Sequence, residues 1–231
     1  MLVSFLLPTR KRIEMAINSI KSIVNNAKDK NCFEILIAFD DDDLDTKIEV
    51  EKFLVENNIN YKSIVTERFG YHGLHEYYNR LIKLSSSHFC WLWNDDAILE
   101  TENWDEILDV NEKPAIYKCL TINDKSLIKH PANIFPLWHK KITDILGHVS
   151  CSPHNDTWLE QIAAKLKIHK VINIHVNHLK TDIEFNKKSD YKEIYQEVHN
   201  SWKNHNTKQI HNSLENQKNL RDDVEKLLIY L

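Results

Sequence analysis

The chain has 231 residues, which is enough for one substantial hydrophobic core with an appendage rather than for two equal domains. Its formal net charge of -4 argues against a protein that binds nucleic acid by neutralising phosphates, because such binding needs an excess of basic residues. The three glycines lie at positions 70, 73 and 147, so the chain holds neither a Gly-x-Gly-x-x-Gly turn nor a phosphate-binding Walker loop.

The cysteines and the apolar segments indicate the compartment. The four cysteines are scattered without a Cys-x-x-Cys pair, which is typical of free thiols in a reducing compartment. The apolar start at Met1–Leu7 is short and its positive charges follow it, an order that does not fit a secretory signal. No run approaches the roughly 18 apolar residues of a membrane span. We therefore expect a soluble, cytoplasmic protein without a transmembrane segment.

Strand and helix patterns alternate over the first hundred residues. Continuous apolar runs predict strands buried on both faces, and apolar residues at helical spacing predict the helices between them. In chain order these are a strand at Leu2–Leu7, a helix at Arg12–Asn25, a strand at Phe33–Phe39, a helix at Thr46–Glu56, a strand at Lys62–Thr66, a helix at Leu74–Leu84 and a strand that begins at Phe89. This alternation predicts an α/β fold with a mostly parallel sheet and helices on both faces.

Acidic and amide residues follow two of the predicted strands directly. Asp40 and Asp41 come after the second strand, and Asn94, Asp95 and Asp96 come after the fourth. Open α/β sheets bind ligands at the carboxyl ends of their strands, and hard oxygen ligands there suit Mg²⁺ or Mn²⁺. The pattern predicts a metal that holds a diphosphate. The alternative is a solvated turn that happens to be acidic.

Four segments occur in a characteristic order. They are Val3–Arg10, which contains Leu-Leu-Pro-Thr-Arg, then Glu34–Asp41, then Asn79 in the middle helix, then Trp91–Asp96, which reads Trp-Leu-Trp-Asn-Asp-Asp. In this order they resemble family 2 glycosyltransferases of the GT-A fold. The resemblance covers roughly the first four-fifths of the chain. It implies a nucleotide-sugar donor, most commonly UDP-linked, bound across the first half of the sheet.

The resemblance also implies roles for residues on the donor side. It places Pro8, Thr9 and Arg10 beside the nucleotide, and it places Asp40 or Asp41 on the base or the ribose.

The same resemblance extends to the metal. Asp96 corresponds to the last member of the family's Asp-x-Asp motif and would bind Mn²⁺ or Mg²⁺. Asn94 stands in the first place of that motif and supplies less charge than an aspartate. Asn94, Asp95 and Asn79 are expected to contribute to donor binding.

The second half of the chain resembles the family more weakly. Asp156 lies where the family carries its catalytic carboxylate, and one of His175 and His178 completes the metal shell, His178 being our choice. The alternative for Asp156 is an N-cap of the predicted helix Thr157–Leu166. A last strand is predicted at Val171–Val176.

A histidine and cysteine pattern offers a competing metal site. His148, Cys151 and His154 follow one another at intervals of three, and His175 and His178 lie downstream. Imidazole and thiolate are zinc ligands, so this half of the chain would then be a zinc-clamped binding module. The spacing matches no common zinc frame.

The carboxyl-terminal part has a different character. We expect a GT-A-like domain at residues 1–185 and a helical extension at 186–231. In the extension, one helical face runs from Tyr191 to Trp202 and another from Ile210 to Leu231. The extension packs back on the domain or forms a homodimer contact.

Together these observations predict a metal-assisted, inverting glycosyltransferase. It would move a sugar from a nucleotide-diphosphate sugar to a glycan or another hydroxyl acceptor. The alternatives are a non-catalytic nucleotide- or glycan-binding relative, which Asn94 suggests, and the zinc-clamped module.

Overall fold

An eight-stranded sheet runs through the part of the chain that the computed structural model describes, residues 1–122, 133–179, 200 and 206–231. The strands in chain order are β1 (Val3–Pro8), β2 (Phe33–Asp40), β3 (Tyr61–Thr66), β4 (Phe89–Leu92), β5 (Ala97–Leu99), β6 (Ile116–Ile122), β7 (Leu137–His139) and β8 (His169–His178). The α-helices among the described residues are α1 (Ile13–Asn26), α2 (Leu44–Glu56), α3 (Leu74–Leu81), α4 (Lys141–Leu146), α5 (Asn155–Leu166), α6 (Thr207–His211) and α7 (Leu214–Tyr230).

The sheet is parallel in its first half and mixed in its second. Its order is β3-β2-β1-β4-β7-β6-β8-β5, and all neighbours among the first four strands of this order are parallel. Strand β7 then pairs antiparallel with both β4 and β6, and β8 pairs parallel with β6 and antiparallel with β5. The predicted α/β class is confirmed. The alternation of strand and helix predicts the parallel pairing among β1, β2, β3 and β4, but it does not predict the antiparallel pairs that follow.

Two hydrophobic layers cover the two faces of the parallel strands. Side chains alternate between them: Phe5 of β1 lies in one layer with α1 and α2, while Leu6 lies in the other with α3 and α5. In β4, Trp91 lies in the same layer as Phe5, and Cys90 lies in the same layer as Leu6. Burial on both faces explains why β1, β2 and β4 are largely apolar in sequence, whereas β3 at the edge is only partly buried.

The strand that precedes the acidic turn ends one residue earlier than the pattern predicts, before Trp93 rather than after it. Strand β4 stops at Leu92, and after the turn the chain forms a short strand, Ala97–Leu99, that the pattern did not predict. The helix predicted at Leu74–Leu84 leaves α-helical geometry after Leu81 and ends in a 3-10 turn at Ile82–Leu84.

The last predicted helix is two helices, α6 and α7, separated at Ser213, whose hydroxyl accepts a hydrogen bond from the Asn216 N–H at 3.2 Å. Helix α7 packs against α4 and α5 and buries Leu220 and Leu227.

The helical face predicted from Tyr191 to Trp202 and the boundary after residue 185 lie outside the described residues, so the division into domain and extension stays a prediction. Among the described residues, no helix combines the length and the apolar character needed to cross a bilayer.

Candidate functional site

The carboxyl ends of β1, β2 and β4 lie side by side because these three strands are parallel neighbours. Thr9 follows β1, Asp40 is the last residue of β2, and Asp95 and Asp96 follow β4. Pro8 ends β1 in register with Ala38 of β2, which places the chain after it at the same edge. The parallel pairing therefore brings together residues that the sequence separates by more than eighty positions.

Asp95 is turned into the protein. Its side chain is 5% exposed; one carboxylate oxygen accepts a hydrogen bond from the Thr9 hydroxyl at 2.9 Å, and the other lies 3.1 Å from an Arg12 guanidinium nitrogen. Burial raises the pKa of Asp95 to about 6, although Arg12 opposes the shift. With both oxygens engaged, Asp95 orders the ends of β1 and β4 relative to each other.

Asp96 is partly exposed, in contrast to Asp95. Its Oδ2 lies 3.3 Å from the Nε2 of His178, and the two side chains are 14% and 16% exposed. Burial alone would raise the pKa of Asp96, but the hydrogen bond from His178 and the charge of Arg12 outweigh it and lower the pKa. The structure thus brings together the two residues expected to bind a metal.

His175 is not part of this arrangement. Its Nε2 lies 3.1 Å from the Asn173 side-chain oxygen, and its backbone N–H donates to the Thr101 hydroxyl at 2.7 Å. Of the two histidines considered, His178 is therefore the one that contacts Asp96.

Asn94 is held by a tyrosine from helix α3. The Tyr78 hydroxyl lies 3.0 Å from the side-chain oxygen of Asn94 and 3.2 Å from the backbone oxygen of Trp93. Tyr78 is fully buried, and this burial together with the nearby charges of Asp95 and Asp156 raises its pKa. A tyrosine that keeps its proton is a stable donor to the acidic turn.

Asp40 is also buried and also held by a tyrosine. The Tyr77 hydroxyl donates to Asp40 and accepts hydrogen bonds from the backbone N–H groups of Phe69 and Gly70 at 2.9 and 3.3 Å. Arg10 Nε lies 3.2 Å from the other oxygen of Asp40. Burial raises the pKa of Asp40, with Tyr77 and Arg10 opposing the shift. Asp40 therefore links the ends of β1 and β2 to the loop before α3.

The next residues of the acidic run lie towards solvent. Asp41 is exposed, and its backbone N–H donates to Thr66 at 2.9 Å. Asp42 receives the Arg10 guanidinium at 2.9 Å and lies 3.5 Å from Arg68. Arg10 thus bridges Asp40 and Asp42 at the carboxyl edge of the parallel strands.

Asn79 follows Tyr78 in α3, and its side-chain amide forms hydrogen bonds with the loop that precedes α5. Its Nδ2 donates to the Ser150 oxygen at 2.8 Å, and its Oδ1 accepts from the N–H groups of Val149 and Ser150 at 2.7 and 3.2 Å. Because both ends of the amide are engaged, Asn79 is placed to order the loop before α5, and its expected contact with a donor stays a prediction.

Asp156 lies inside α5. The helix begins at Asn155, so the alternative, in which Asp156 is the N-cap of a helix starting at Thr157, is wrong. Its Oδ1 accepts the Thr157 N–H at 2.7 Å, and burial raises its pKa although the side chain is not fully enclosed. The charges of Asp95, Asp96 and Asp156 all raise the pKa of Tyr78, and the role of Asp156 as a base stays a prediction.

Sequence reasoning missed three side chains of this edge. Arg12 was predicted only as the start of a helix, and Tyr77 and Tyr78 lie in the helix predicted at Leu74–Leu84, for which no site role was predicted. Their hydroxyls and the guanidinium contact Asp40, Asn94 and Asp95. Two adjacent tyrosines on a helix that covers the sheet would have been a usable signal, because a buried phenol needs a hydrogen-bond partner.

The donor set at Asp96 and His178 fits a divalent cation. Two ligands of one ion at about 2.1 Å lie roughly 3 Å apart, close to the 3.3 Å between their facing oxygen and nitrogen atoms. Mn²⁺ accepts both oxygen and imidazole donors, whereas Mg²⁺ prefers oxygen. These two residues would hold the ion, since Asp95 is engaged with Thr9 and Arg12.

The competing zinc set does not assemble as the spacing suggested. His154 lies with Thr207, at 3.2 Å, and His178 lies with Asp96. Of the five residues, His148 and Cys151 form a group of potential metal ligands, and the third member of that group is Asp223 of α7.

Comparison with solved structures finds similar folds at low sequence identity. TarS from S. aureus in complex with UDP matches with a TM-score of 0.59 and 12% identity, over 86% of this chain and 64% of that one. The mannosyltransferase PcManGT from Pyrobaculum calidifontis, in complex with GDP-Man and Mn²⁺, matches with a TM-score of 0.61 and 12% identity, over 98% and 74%. GalNAc-T7 with UDP, GalNAc and Mn²⁺ matches with a TM-score of 0.58 and 10% identity, over 77% and 43%.

These likenesses confirm the predicted GT-A-like fold. No protein family and no curated protein matches the chain by sequence, so the assignment to family 2 stays a prediction. The chain spans less than two thirds of the TarS chain that it matches.

Proposed function

We propose that this protein is a metal-assisted, inverting glycosyltransferase that takes its sugar from a nucleotide-diphosphate sugar, most simply a UDP-linked one. The acceptor is a glycan or another hydroxyl compound. The observation that carries the proposal is the accessible Asp96 carboxylate facing His178 at the carboxyl edge of the parallel strands. The GT-A-like fold supports it, because solved structures with this fold hold UDP or GDP-Man.

The donor side of the site would be built from the ends of β1 and β2. Arg10, between Asp40 and Asp42, offers a cation to the nucleotide or its diphosphate. Asp40, held by Tyr77, offers an ordered acceptor for a ribose hydroxyl or a base N–H. Thr9, which precedes Arg10, is held in place by the hydrogen bond from its hydroxyl to Asp95.

Asp96 and His178 would hold Mn²⁺ or Mg²⁺, which when bound neutralises charge on the departing diphosphate. Asn94, in the first place of the Asp-x-Asp motif, is fixed by Tyr78 and offers an amide to the donor.

Asp156 would act as the general base. The acceptor oxygen attacks the anomeric carbon, its proton passes to the Asp156 carboxylate, and the bond from that carbon to the diphosphate oxygen breaks with inversion. A pKa raised by burial suits this role, because a base works best when its pKa approaches the working pH.

The test is Asp96→Asn, which keeps the shape of the side chain and removes its charge. Release of nucleoside diphosphate from UDP-GlcNAc or GDP-Man should require added Mn²⁺ in the parent protein, stop with a chelator, and fall roughly 100-fold in the variant. Asp222→Asn is the matched control, because Asp222 is exposed on α7 and pairs with Lys218 on the surface. Equal release by the parent protein and Asp96→Asn would refute the metal role.

A second candidate function is nucleotide or glycan binding without turnover. Asn94 favours it, because the motif position holds an amide whose oxygen is already engaged by Tyr78. Under this alternative, a nucleotide sugar would raise the melting temperature by mass action while no nucleoside diphosphate was released with Mn²⁺ present.

A further inference from the structure

Three potential metal ligands meet at the contact between helix α7 and the loop that follows α4. They are His148, Cys151 and Asp223, and one ligand atom of each lies within 4.8 Å of the other two. His148 Nε2 lies 3.1 Å from Asp223 Oδ1 and 3.8 Å from Cys151 Sγ. None of them belongs to the site at the edge of the sheet.

The spacing of these atoms suits a tetrahedral ion. With zinc at about 2.0 Å from nitrogen or oxygen and about 2.3 Å from sulfur, neighbouring ligand atoms lie roughly 3.3 to 3.6 Å apart. The two distances from His148 Nε2 fall within a few tenths of an ångström of that range. Small side-chain adjustments would therefore place all three atoms around one ion.

The loop that carries two of the ligands is held in shape. Gly147 has a φ of 87°, which ends α4 in a left-handed turn and directs His148 away from the helix. Asn79 binds the backbone of Val149 and Ser150, between His148 and Cys151. The two ligands are thus positioned by interactions that do not depend on a metal.

The third ligand is oriented by a neighbouring tryptophan. The Trp158 indole N–H donates to Asp223 Oδ2 at 3.0 Å, which leaves Oδ1 directed at His148. A hydrogen bond that fixes the second oxygen of a ligating carboxylate is a common feature of metal sites.

We propose that His148, Cys151 and Asp223 bind one Zn²⁺ ion, with water in the fourth position, and that this ion fastens helix α7 to the loop after α4. Thiolate and imidazole ligands select zinc over Mg²⁺ and Mn²⁺, so this site and the one at Asp96 take different metals. On binding, the thiol proton of Cys151 and the imidazolium proton of His148 pass to solvent.

Without the ion, His148 and Asp223 form an ion pair. Burial opposes a charge on His148, but the hydrogen bond to Asp223 raises its pKa to about 9. An ion pair alone is therefore the competing explanation of the cluster, and a test has to detect the metal–sulfur bond itself.

The experiment uses the full chain, freed of metal with a chelator and titrated with Co²⁺, which reports thiolate ligation by a charge-transfer band in the near ultraviolet. We expect the band to saturate at one ion per chain and to disappear on adding one equivalent of Zn²⁺. Cys151→Ser should abolish it, whereas Cys32→Ser, which removes another half-buried free thiol, should retain it. Asp96→Asn should also retain the band, which separates this site from the proposed catalytic metal.

A second measurement applies if Cys151→Ser fails to fold. In the parent protein, bound Zn²⁺ should slow alkylation of Cys151 at least tenfold, as mapped by peptide mass spectrometry, and leave Cys32 unchanged. Absence of a cobalt–thiolate band in the parent protein, or equal alkylation of Cys151 with and without Zn²⁺, would overturn the proposal and leave the ion pair as the explanation.

Discussion

Neighbouring acidic side chains at the edge of the sheet have opposite environments. Asp95 is enclosed between Thr9 and Arg12, while Asp96 stays accessible beside His178. Both residues lie in the turn between β4 and β5, where the Ala97 N–H donates to the Asn94 backbone oxygen at 3.2 Å, and their side chains have different partners there. The buried Asp95 organises the strand ends, and the partly exposed Asp96 is available to a ligand.

At the scale of the residue, Tyr77→Phe should weaken donor binding. The hydroxyl holds Asp40 and satisfies the N–H groups of Phe69 and Gly70, so its removal leaves buried polar groups without this partner. We expect a stability loss of about 1 to 2 kcal/mol and a roughly tenfold weaker affinity for a nucleotide sugar, measured by denaturant unfolding and by calorimetry. Tyr61→Phe, on the half-buried edge strand β3, is the control and should change neither.

A second residue-scale prediction concerns the proposed base. Asp156→Asn should lower donor turnover roughly 1000-fold and leave the dissociation constant of the nucleotide sugar unchanged, because the base acts only on the acceptor proton. Turnover is followed by release of nucleoside diphosphate. Glu160→Gln, one turn further along α5, should behave like the parent protein. Weakened donor binding with turnover still measurable would remove the assignment.

At the scale of the element, the amino ends of the parallel strands are joined by a buried polar network. Glu34 of β2 is 1% exposed, and it accepts hydrogen bonds from the Ser4 hydroxyl at 2.6 Å and the Ser86 N–H at 3.0 Å. Lys62 of β3 lies 2.9 Å from its other oxygen. This network connects β1, β2, β3 and the start of β4 at the end of the sheet opposite the candidate site.

Glu34→Gln should therefore destabilise the protein, and most clearly near neutral pH. Burial by itself raises the pKa of Glu34, but the bonds from Ser4, Ser86 and Lys62 outweigh it and lower the pKa below its ordinary value. A lowered pKa contributes stability above the unfolded value of 4.5, and that contribution is lost as the pH falls through the folded value.

We expect a loss of about 2 kcal/mol at pH 7 and a shallower fall in stability on acidification, measured by denaturant unfolding from pH 7 to pH 3. Glu106→Gln, which breaks an exposed pair with Lys28, should cost less than about 1 kcal/mol. An acid profile identical to that of the parent protein would show that the Glu34 carboxylate is not stabilised in this way.

At the scale of the whole molecule, helix α7 completes the layer that covers one face of the sheet. Leu220 and Leu227 are buried in the same cluster as Trp158 of α5 and Ile142 of α4. Leu228, the next residue, is 69% exposed. The described part of the carboxyl-terminal segment therefore belongs to the packed core on one side and faces solvent on the other.

Leu227→Ala should lower the free energy of unfolding by about 3 kcal/mol, because it opens a cavity between α7 and the layer beneath it. Leu228→Ala is the matched neighbour and should change stability by less than about 0.5 kcal/mol. A change in oligomeric state caused by Leu228→Ala, seen by light scattering, would support the dimer contact considered for this segment. Equal destabilisation by both substitutions would contradict the packing.

Much of the fold follows from local pattern. The continuous apolar runs, the helical spacing between them and the acids after two strands predicted the parallel half of the sheet and the edge where Asp40 and Asp96 lie. Such features depend on neighbouring residues, so the sequence reveals them directly. The antiparallel strands β5 and β7 left no comparable signal, because each has only three residues.

The amino-acid order by itself determined which residues stand at the ends of the parallel strands. The tertiary structure alone decided that Asp95 turns inward while Asp96 meets His178, and that Asp223 joins His148 and Cys151. These contacts link residues more than seventy positions apart, and they form only when packed layers fix the separation and direction of the side chains. The spacing of residues along the chain does not determine that geometry.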